Sequence, residues 1–201
     1  KQFLNLCGKP VLCHSFDIFA THARVVEIVI VGPADHLANV KHALGAERMK
    51  DNRLQIITGG ETRQNSVKAG LAALSSGKAS LVGIHDAARP LISHAVIDRL
   101  AAAISDDVPA ALPILKVADT LKSTDAYGIS GTIDRNLVRA AQTPQMFDLA
   151  TIAMLHNEYD STQSVTDDIS LAEGAGLRIA CIEGDRRLMK LTHKDDLALL
   201  V

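Results

Sequence analysis

Short apolar runs rich in β-branched residues recur at Val25 to Val31, Leu54 to Thr58, Ser80 to His85, Ala110 to Val117 and Arg178 to Glu183. Runs of this length, bounded by polar and turn-forming residues, predict buried strands. Between them, apolar positions at helical spacing predict helices over Pro10 to Thr21, Ala34 to Leu44, Ser66 to Leu74, Ala95 to Ile104 and Leu149 to His156, with a last helical stretch over Asp195 to Val201. Strand and helix alternate. That order predicts an α/β fold with a mostly parallel sheet and helices on both of its faces. Ligands on such sheets gather at the carboxyl ends of strands, so chemistry is expected in the segments that follow them.

One segment breaks the alternation. Asp119 to Arg135 contains Lys122, Ser123, Thr124, Asp125, Gly128, Ser130 and Gly131 and has no helical stripe, which predicts an extended arm or hairpin. No internal repeat and no Pro/Gly/Ser-rich linker divides the chain, so residues 1–201 are expected to form one domain carrying the arm at 119–135.

Composition narrows the function classes. With 47% apolar residues in 201 there is enough material for a proper core. The 21 basic and 23 acidic side chains are mixed along the chain and leave a net charge of −2. This balance offers neither a nucleic-acid footprint nor a polybasic membrane patch, so an anionic ligand must be held by local groups. No apolar run approaches the roughly 20 residues that span a bilayer. Cys7, Cys13 and Cys181 match no metal-ligand or CxxC spacing and read as reduced thiols, packed as small hydrophobes, in a cytosol-like compartment.

Four places carry candidate chemistry. Gly59-Gly60-Glu61-Thr62-Arg63-Gln64-Asn65-Ser66 lies between a predicted strand and a predicted helix, where glycine amides and a helix N-terminus can bind an anion. The same residues also make an ordinary turn and cap. Ile84-His85-Asp86-Ala87-Ala88-Arg89-Pro90 ends a strand in a carboxylate and a guanidinium. Asp86 suits Mg²⁺ when nucleotide phosphates supply the remaining oxygens, and Arg89 suits an anion; the alternative is an Asp–Arg pair that fixes a loop. His85, inside the strand pattern, reads as a packed, hydrogen-bonded histidine. Arg135 with Ala141-Gln142-Thr143-Pro144-Gln145-Met146-Phe147, and Val165-Thr166-Asp167-Asp168, offer a charged fork and two hydroxyls. Thr166 to Asp168 also reads as a helix start. Lys190 follows the last strand as a further cation, with a solvent-facing lysine as the alternative. No HExxH, GxSxG or zinc spacing is present, and the absence of GxGxxG argues against a dinucleotide-dependent dehydrogenase. Lys, Arg, Thr and Gly at strand ends, with few carboxylates, are equipment for phosphates.

In order along the chain, KQFLNLCGKPVL, GGETRQNSV, IHDAARPL, ADTLK, DR before AQTPQMF, VTDD and MKLTHKDDL resemble the 2-C-methyl-D-erythritol 4-phosphate cytidylyltransferase family. The resemblance implies a Rossmann-like nucleotidyltransferase fold. It implies Mg²⁺-dependent transfer of CMP from CTP to 2-C-methyl-D-erythritol 4-phosphate, in a homodimer whose arm reaches into the neighbouring subunit. Gly60, Glu61 and Ser66 match the segment that recognises cytidine, and Asp86 and Ala87 match residues beside the ribose, phosphates and metal. Lys1 and Lys190 match the two essential lysines. Arg89, Thr120, Arg135, Thr143 and Thr166 match the methylerythritol phosphate site, with Thr120, Arg135 and Thr143 acting across the dimer interface. The family carries a glycine-rich loop with a catalytic arginine just before the lysine aligned with Lys1, so further residues are expected upstream. Some members are fused to a cyclodiphosphate synthase, and an end at Val201 is consistent with a cut before such a domain. Ribitol 5-phosphate is the nearest alternative acceptor, disfavoured by Asp134-Arg135 ahead of AAQTPQMF. A non-catalytic nucleotide-binding module is the alternative if the upstream loop is absent.

Overall fold

A computed structural model describes residues 1–74, 77–159 and 165–200. The expected single domain and the expected terminal helix both include Val201, which lies outside the described residues. The chain opens with a small hairpin of β1 (Asn5–Leu6) and β2 (Lys9–Pro10), then α1 (Val11–Thr21) and β3 (Ile28–Gly32). α2 (Leu37–Arg48), β4 (Leu54–Thr58), α3 (Arg63–Ala73), β5 (Leu81–Ile84), α4 (His94–Ala103) and β6 (Ala110–Lys116) follow in alternation. Next come β7 (Lys122–Asp125), β8 (Gly128–Thr132), β9 (Arg139–Ala141), β10 (Gln145–Asp148), α5 (Leu149–Glu158), α6 (Ile169–Gly174) and β11 (Ile179–Glu183). Short 3₁₀ turns occupy Ala34–His36, Arg186–Leu188 and Lys194–Leu199. Among the described residues no helix is long and apolar enough to cross a membrane.

β3 and β4 pair in parallel, from Ile28 opposite Leu54 to Gly32 opposite Thr58. The larger sheet has the order β11-β6-β10-β5. β11 is parallel to β6, whereas β10 is antiparallel to both β6 and β5, so β5, β6 and β11 share one direction and β10 is the reversed strand among them. The alternating sequence did not foretell β10, since four residues following a proline carry too little pattern to mark a strand. β9 also pairs antiparallel with β6, displaced by the Gln142–Pro144 interruption.

Neighbouring residues on a strand face opposite ways, and the sheet uses this to bury both faces. Ala110, Leu112 and Phe147 pack under Ile152, Leu155, Ile169 and Ala172 of α5 and α6. Ala111 and Met146 face Val96, Ile97 and Leu100 of α4. α1 and α2 cover β3 and β4 through Leu12, Phe16, Val40 and Leu44. The helix expected over Ala34 to Leu44 begins as a 3₁₀ turn, and α2 breaks helical geometry at Gly45, whose φ is +71°. Such a φ is accessible to glycine without a Cβ penalty.

The expected arm is a hairpin. β7 and β8 pair antiparallel from Lys122 opposite Thr132 to Asp125 opposite Gly128, with a bulge between Ser123 and Thr124. The Asp125 carboxylate accepts from the Tyr127 amide at the tip, where Gly128 adopts φ +125°. One cysteine expectation holds and two do not: Cys13 is buried, but Cys7 and Cys181 are exposed. Cys7 sits in the β1–β2 turn at φ +46°, and Cys181 is on β11, an edge strand of the sheet.

Candidate active site

The carboxyl ends of β4 and β5 and the segment after β11 supply the candidate residues. After β5, the chain turns back on itself, with the Arg89 amide donating to the Asp86 carbonyl over 2.9 Å. This turn places the side chains of Asp86 and Arg89 together, Arg89 Nε lying 3.5 Å from Asp86 Oδ2. Lys190 arrives from the far end of the chain, its Nζ 2.9 Å from the same oxygen. The approach is fixed by a backbone bond from the Leu191 amide to the Ala88 carbonyl, 2.9 Å long, and by burial of Leu191 against Ala88, Leu6 and Val11. The same apolar cluster carries Leu4 of the N-terminal segment, while Lys1 is exposed, and among the described residues no hydrogen bond or ion pair joins its side chain to Asp86 or Lys190.

Arg89 is anchored as well as charged. Its Nη1 donates to the Leu188 carbonyl at 2.6 Å, and its Nε is buried without a hydrogen-bond partner among the described residues. Burial would raise the Asp86 pKa, but Lys190, then Arg89 and Arg63, outweigh it and hold the carboxyl below its usual range. Asp86 is therefore an anion inside a cationic frame. No group of three or more His, Cys, Asp or Glu residues able to hold a metal occurs among the described residues. A lone, partly buried carboxylate fits Mg²⁺ only if phosphate oxygens complete the shell, the arrangement this ion prefers.

Thr143 joins the cluster through the reversed strand. β10 lies beside β5 with Gln145 opposite Ile84, and this register brings Thr143 Oγ1 within 3.1 Å of both the Asp86 amide and His85 Nδ1. Within its own chain Thr143 is held in this way because β10 inserts directly next to β5. The Thr143–Pro144 peptide is cis. His85 is the hydrogen-bonded histidine its position suggested; burial pushes its pKa down to about 4, so the ring is neutral.

The glycine loop behaves as turn, cap and candidate cradle at once. Thr62, not Ser66, caps α3, its side chain accepting from the Asn65 amide, so the helix starts three residues earlier than expected. Ser66 Oγ reaches back to the Thr62 carbonyl at 2.9 Å and the Gly60 carbonyl at 3.3 Å. Gly60 and Glu61 are exposed at the helix N-terminus, and Ala87 is exposed beside Asp86.

Thr166 is exposed on a loop whose neighbours are firmly held. Gln64 Nε2 donates to the Val165 carbonyl, Gln145 Nε2 donates to Asp167 Oδ2, and Gln145 Oε1 accepts from the amides of Asp168 and Ile169. Asp168 is fully buried between Arg63 Nη2 at 2.6 Å and His156 Nε2 at 3.0 Å. Arg63, Gln145, His156 and Asp168 were not singled out from the sequence, although three of them lie inside quoted motifs. Thr120 and Arg135 stay at the base of the arm, exposed, with Arg135 Nη1 donating to the Ala118 carbonyl at 2.8 Å. Among the described residues no hydrogen bond or ion pair joins them to Asp86 of the same chain.

An anionic residue framed by lysine and arginine lies at the carboxyl edge of a sheet covered on both faces, and the mixed α/β architecture is that of the Rossmann-like nucleotidyltransferase fold. Residues 1–200 match the family of 2-C-methyl-D-erythritol 4-phosphate cytidylyltransferases, and the chain belongs to that family. It is 38% identical to the 2-C-methyl-D-erythritol 4-phosphate cytidylyltransferase of Streptomyces avermitilis, over 99% of this chain and 82% of that protein. It is 39% identical to the bifunctional enzyme IspD/IspF of Rhizobium rhizogenes, over 99% of this chain and 50% of that one. The chain thus spans about half the length of several such bifunctional relatives. The crystal structure of the 2-C-methyl-D-erythritol 4-phosphate cytidylyltransferase of Thermus thermophilus superposes with a TM-score of 0.81 at 32% identity, covering all of this chain and 91% of that one.

Proposed function

We propose that this protein transfers CMP from CTP to 2-C-methyl-D-erythritol 4-phosphate, releasing pyrophosphate. The observation that carries the reading is the Lys190–Asp86–Arg89 cluster at the end of β5, in a chain matched to the family from end to end. An oxygen of the acceptor's phosphate forms a bond to the α-phosphorus of CTP, the bond from that phosphorus to the bridging oxygen breaks, and pyrophosphate departs with the electron pair. The nucleophile is already an anion and needs no general base, which accounts for the neutral, internally bonded His85. Alignment and charge stabilisation carry the rate.

In this reading Gly60, Glu61 and Ser66 bind the cytidine, and Asp86 with Ala87 lies beside the ribose and phosphates. Lys1 and Lys190 offset the charge that develops on the phosphates, while Arg89 and Thr166 bind the acceptor. Mg²⁺, held by Asp86 and phosphate oxygens, would supply further charge stabilisation. Thr120 and Arg135 complete the acceptor site of a partner subunit in a homodimer. The arm and the segment just after it support this arrangement, since Tyr127 and Ile129 on the arm and Leu137 beyond it are exposed apolar side chains that a second copy would cover. Three free cysteines suit a reducing, cytosolic setting. The bifunctional relatives extend the proposal to a cyclodiphosphate synthase half in the same protein.

The test is to incubate the full-length protein with CTP and Mg²⁺, offering methylerythritol 4-phosphate and ribitol 5-phosphate in separate reactions, and to identify the cytidine product by mass. Product from the first acceptor alone is expected. Product from ribitol phosphate alone would overturn the acceptor, and no product from either would leave a nucleotide-binding module.

A further inference from the structure

His85 stands one residue before the site's carboxylate and has no part in the chemistry above, yet both of its ring nitrogens are engaged. Nε2 lies 3.0 Å from the Arg89 carbonyl oxygen. That oxygen can only accept, so Nε2 carries the ring proton. Nδ1 is then a bare acceptor, and the Thr143 hydroxyl, 3.1 Å away, must donate to it. With its proton committed, Thr143 Oγ1 accepts the Asp86 amide proton at 3.1 Å. The polarity of the whole chain follows: His85 donates to Arg89, Thr143 donates to His85, and the Asp86 amide donates to Thr143.

We propose that His85 is a positioning residue, which in its Nε2–H tautomer orients the Thr143 hydroxyl so that Thr143 fixes the backbone of Asp86. The proposal rests on the reading of Asp86 as the residue that holds the metal–nucleotide. Both ends of the β5 turn are tied by this one ring, the Arg89 carbonyl directly and the Asp86 amide through Thr143. The carboxylate of Asp86 and the guanidinium of Arg89 are thereby set in register before any ligand arrives, which is the pre-organisation that electrostatic catalysis requires. Thr143 is only 6% exposed and its hydroxyl is engaged on both sides, which places it to hold Asp86. Phe19 packs edge-on against the imidazole, ring centres 5.3 Å apart. A phenylalanine at position 85 would keep that packing and lose both hydrogen bonds.

Two measurements on the full-length protein decide the matter. Nitrogen-15 NMR of the imidazoles in the wild type at pH 7 should show the His85 proton on Nε2; a proton on Nδ1 would overturn the proposal without any variant. Calorimetric titration of CTP, in Mg²⁺ and again in EDTA, then separates positioning from folding. His85→Phe and Thr143→Val are each expected to lose about tenfold in the Mg²⁺-dependent part of the affinity, the scale of one lost hydrogen bond, with the EDTA value unchanged. Thr143→Ser, which keeps the hydroxyl, should stay within about twofold of wild type, well under the 1.4 kcal/mol that a tenfold change represents. Equal losses with and without Mg²⁺, or no loss in His85→Phe, would overturn the role. A wild-type protein whose CTP affinity ignores Mg²⁺ would instead sink the metal reading of Asp86, while the tautomer result still judges the hydrogen-bond chain.

Discussion

Arg63 Nη2 donates to Asp168 Oδ2 over 2.6 Å, tying the first turn of α3 to the residue that precedes α6. The carboxylate is fully buried and has His156 on its other side. Because α3 begins at the glycine loop and Asp168 ends the Thr166 loop, one ion pair links the proposed nucleotide and acceptor segments. Removing the guanidinium would strand a buried charge. Arg63→Leu is expected to destabilise the protein by about 3 kcal/mol, the low end for a broken buried pair because Arg63 is itself 35% exposed. Urea denaturation reads this out, and Arg63→Leu combined with Asp168→Asn should recover most of the loss.

The same pair sets a pH dependence. Burial would raise the Asp168 pKa, but His156 and Arg63 outweigh it and hold the carboxyl below its usual range. A folded-state pKa below the unfolded value of about 3.9 means the contribution is present above that pH and is lost as pH falls through the folded pKa. Between pH 6 and pH 3 the urea midpoint of the wild type should therefore fall further than that of Asp168→Asn.

Lys190 and Asp86 form a half-exposed pair, and such pairs add little to stability. Lys190→Ala should leave the thermal midpoint nearly unchanged while lowering kcat by roughly 10²-fold, the scale of a lost electrostatic donor. Near-normal turnover would remove Lys190 from the mechanism.

Gly60 has no room for a side chain. A Cβ there would overlap Asn65 Cβ and press on the Asn65 backbone, so the loop would have to move away from the N-terminus of α3. Gly60→Ala should weaken CTP binding at least tenfold in titration calorimetry with only a small loss of stability, since the loop is exposed.

The arm's tip presents Tyr127 fully to solvent and Ile129 at 72% exposure. If a second copy covers them, Ile129→Asp should shift the sedimentation coefficient from dimer to monomer at micromolar concentration. An unchanged dimer would move the interface elsewhere.

Much of this was legible in the sequence because it is local. β4 spans the expected Leu54 to Thr58, five helices fall on their periodic stretches, and the arm is a hairpin where glycine and alternation suggested one. Asp86, Arg89 and Lys190 were nominated by their places after strands, and the fold brings them together. What was missed depends on distance. Arg63 and Asp168 are 105 residues apart, and no spacing rule connects them. The reversed β10 escaped because its register is set by β5 and β6 on either side, and the bond from the Asp86 amide to Thr143 escaped for the same reason.

The interruption between β9 and β10 has a wider meaning. Gln142 exchanges hydrogen bonds with the backbone of Asp185, Thr143 with the turn after β5, and Gln145 with Asp167 and Asp168. Residues 142–145 thus act as a keystone, touching three separate loops from one short stretch of backbone. In evolutionary terms those loops are not free modules: a chimaera that exchanges any one of them with a relative will work only when residues 142–145 travel with it.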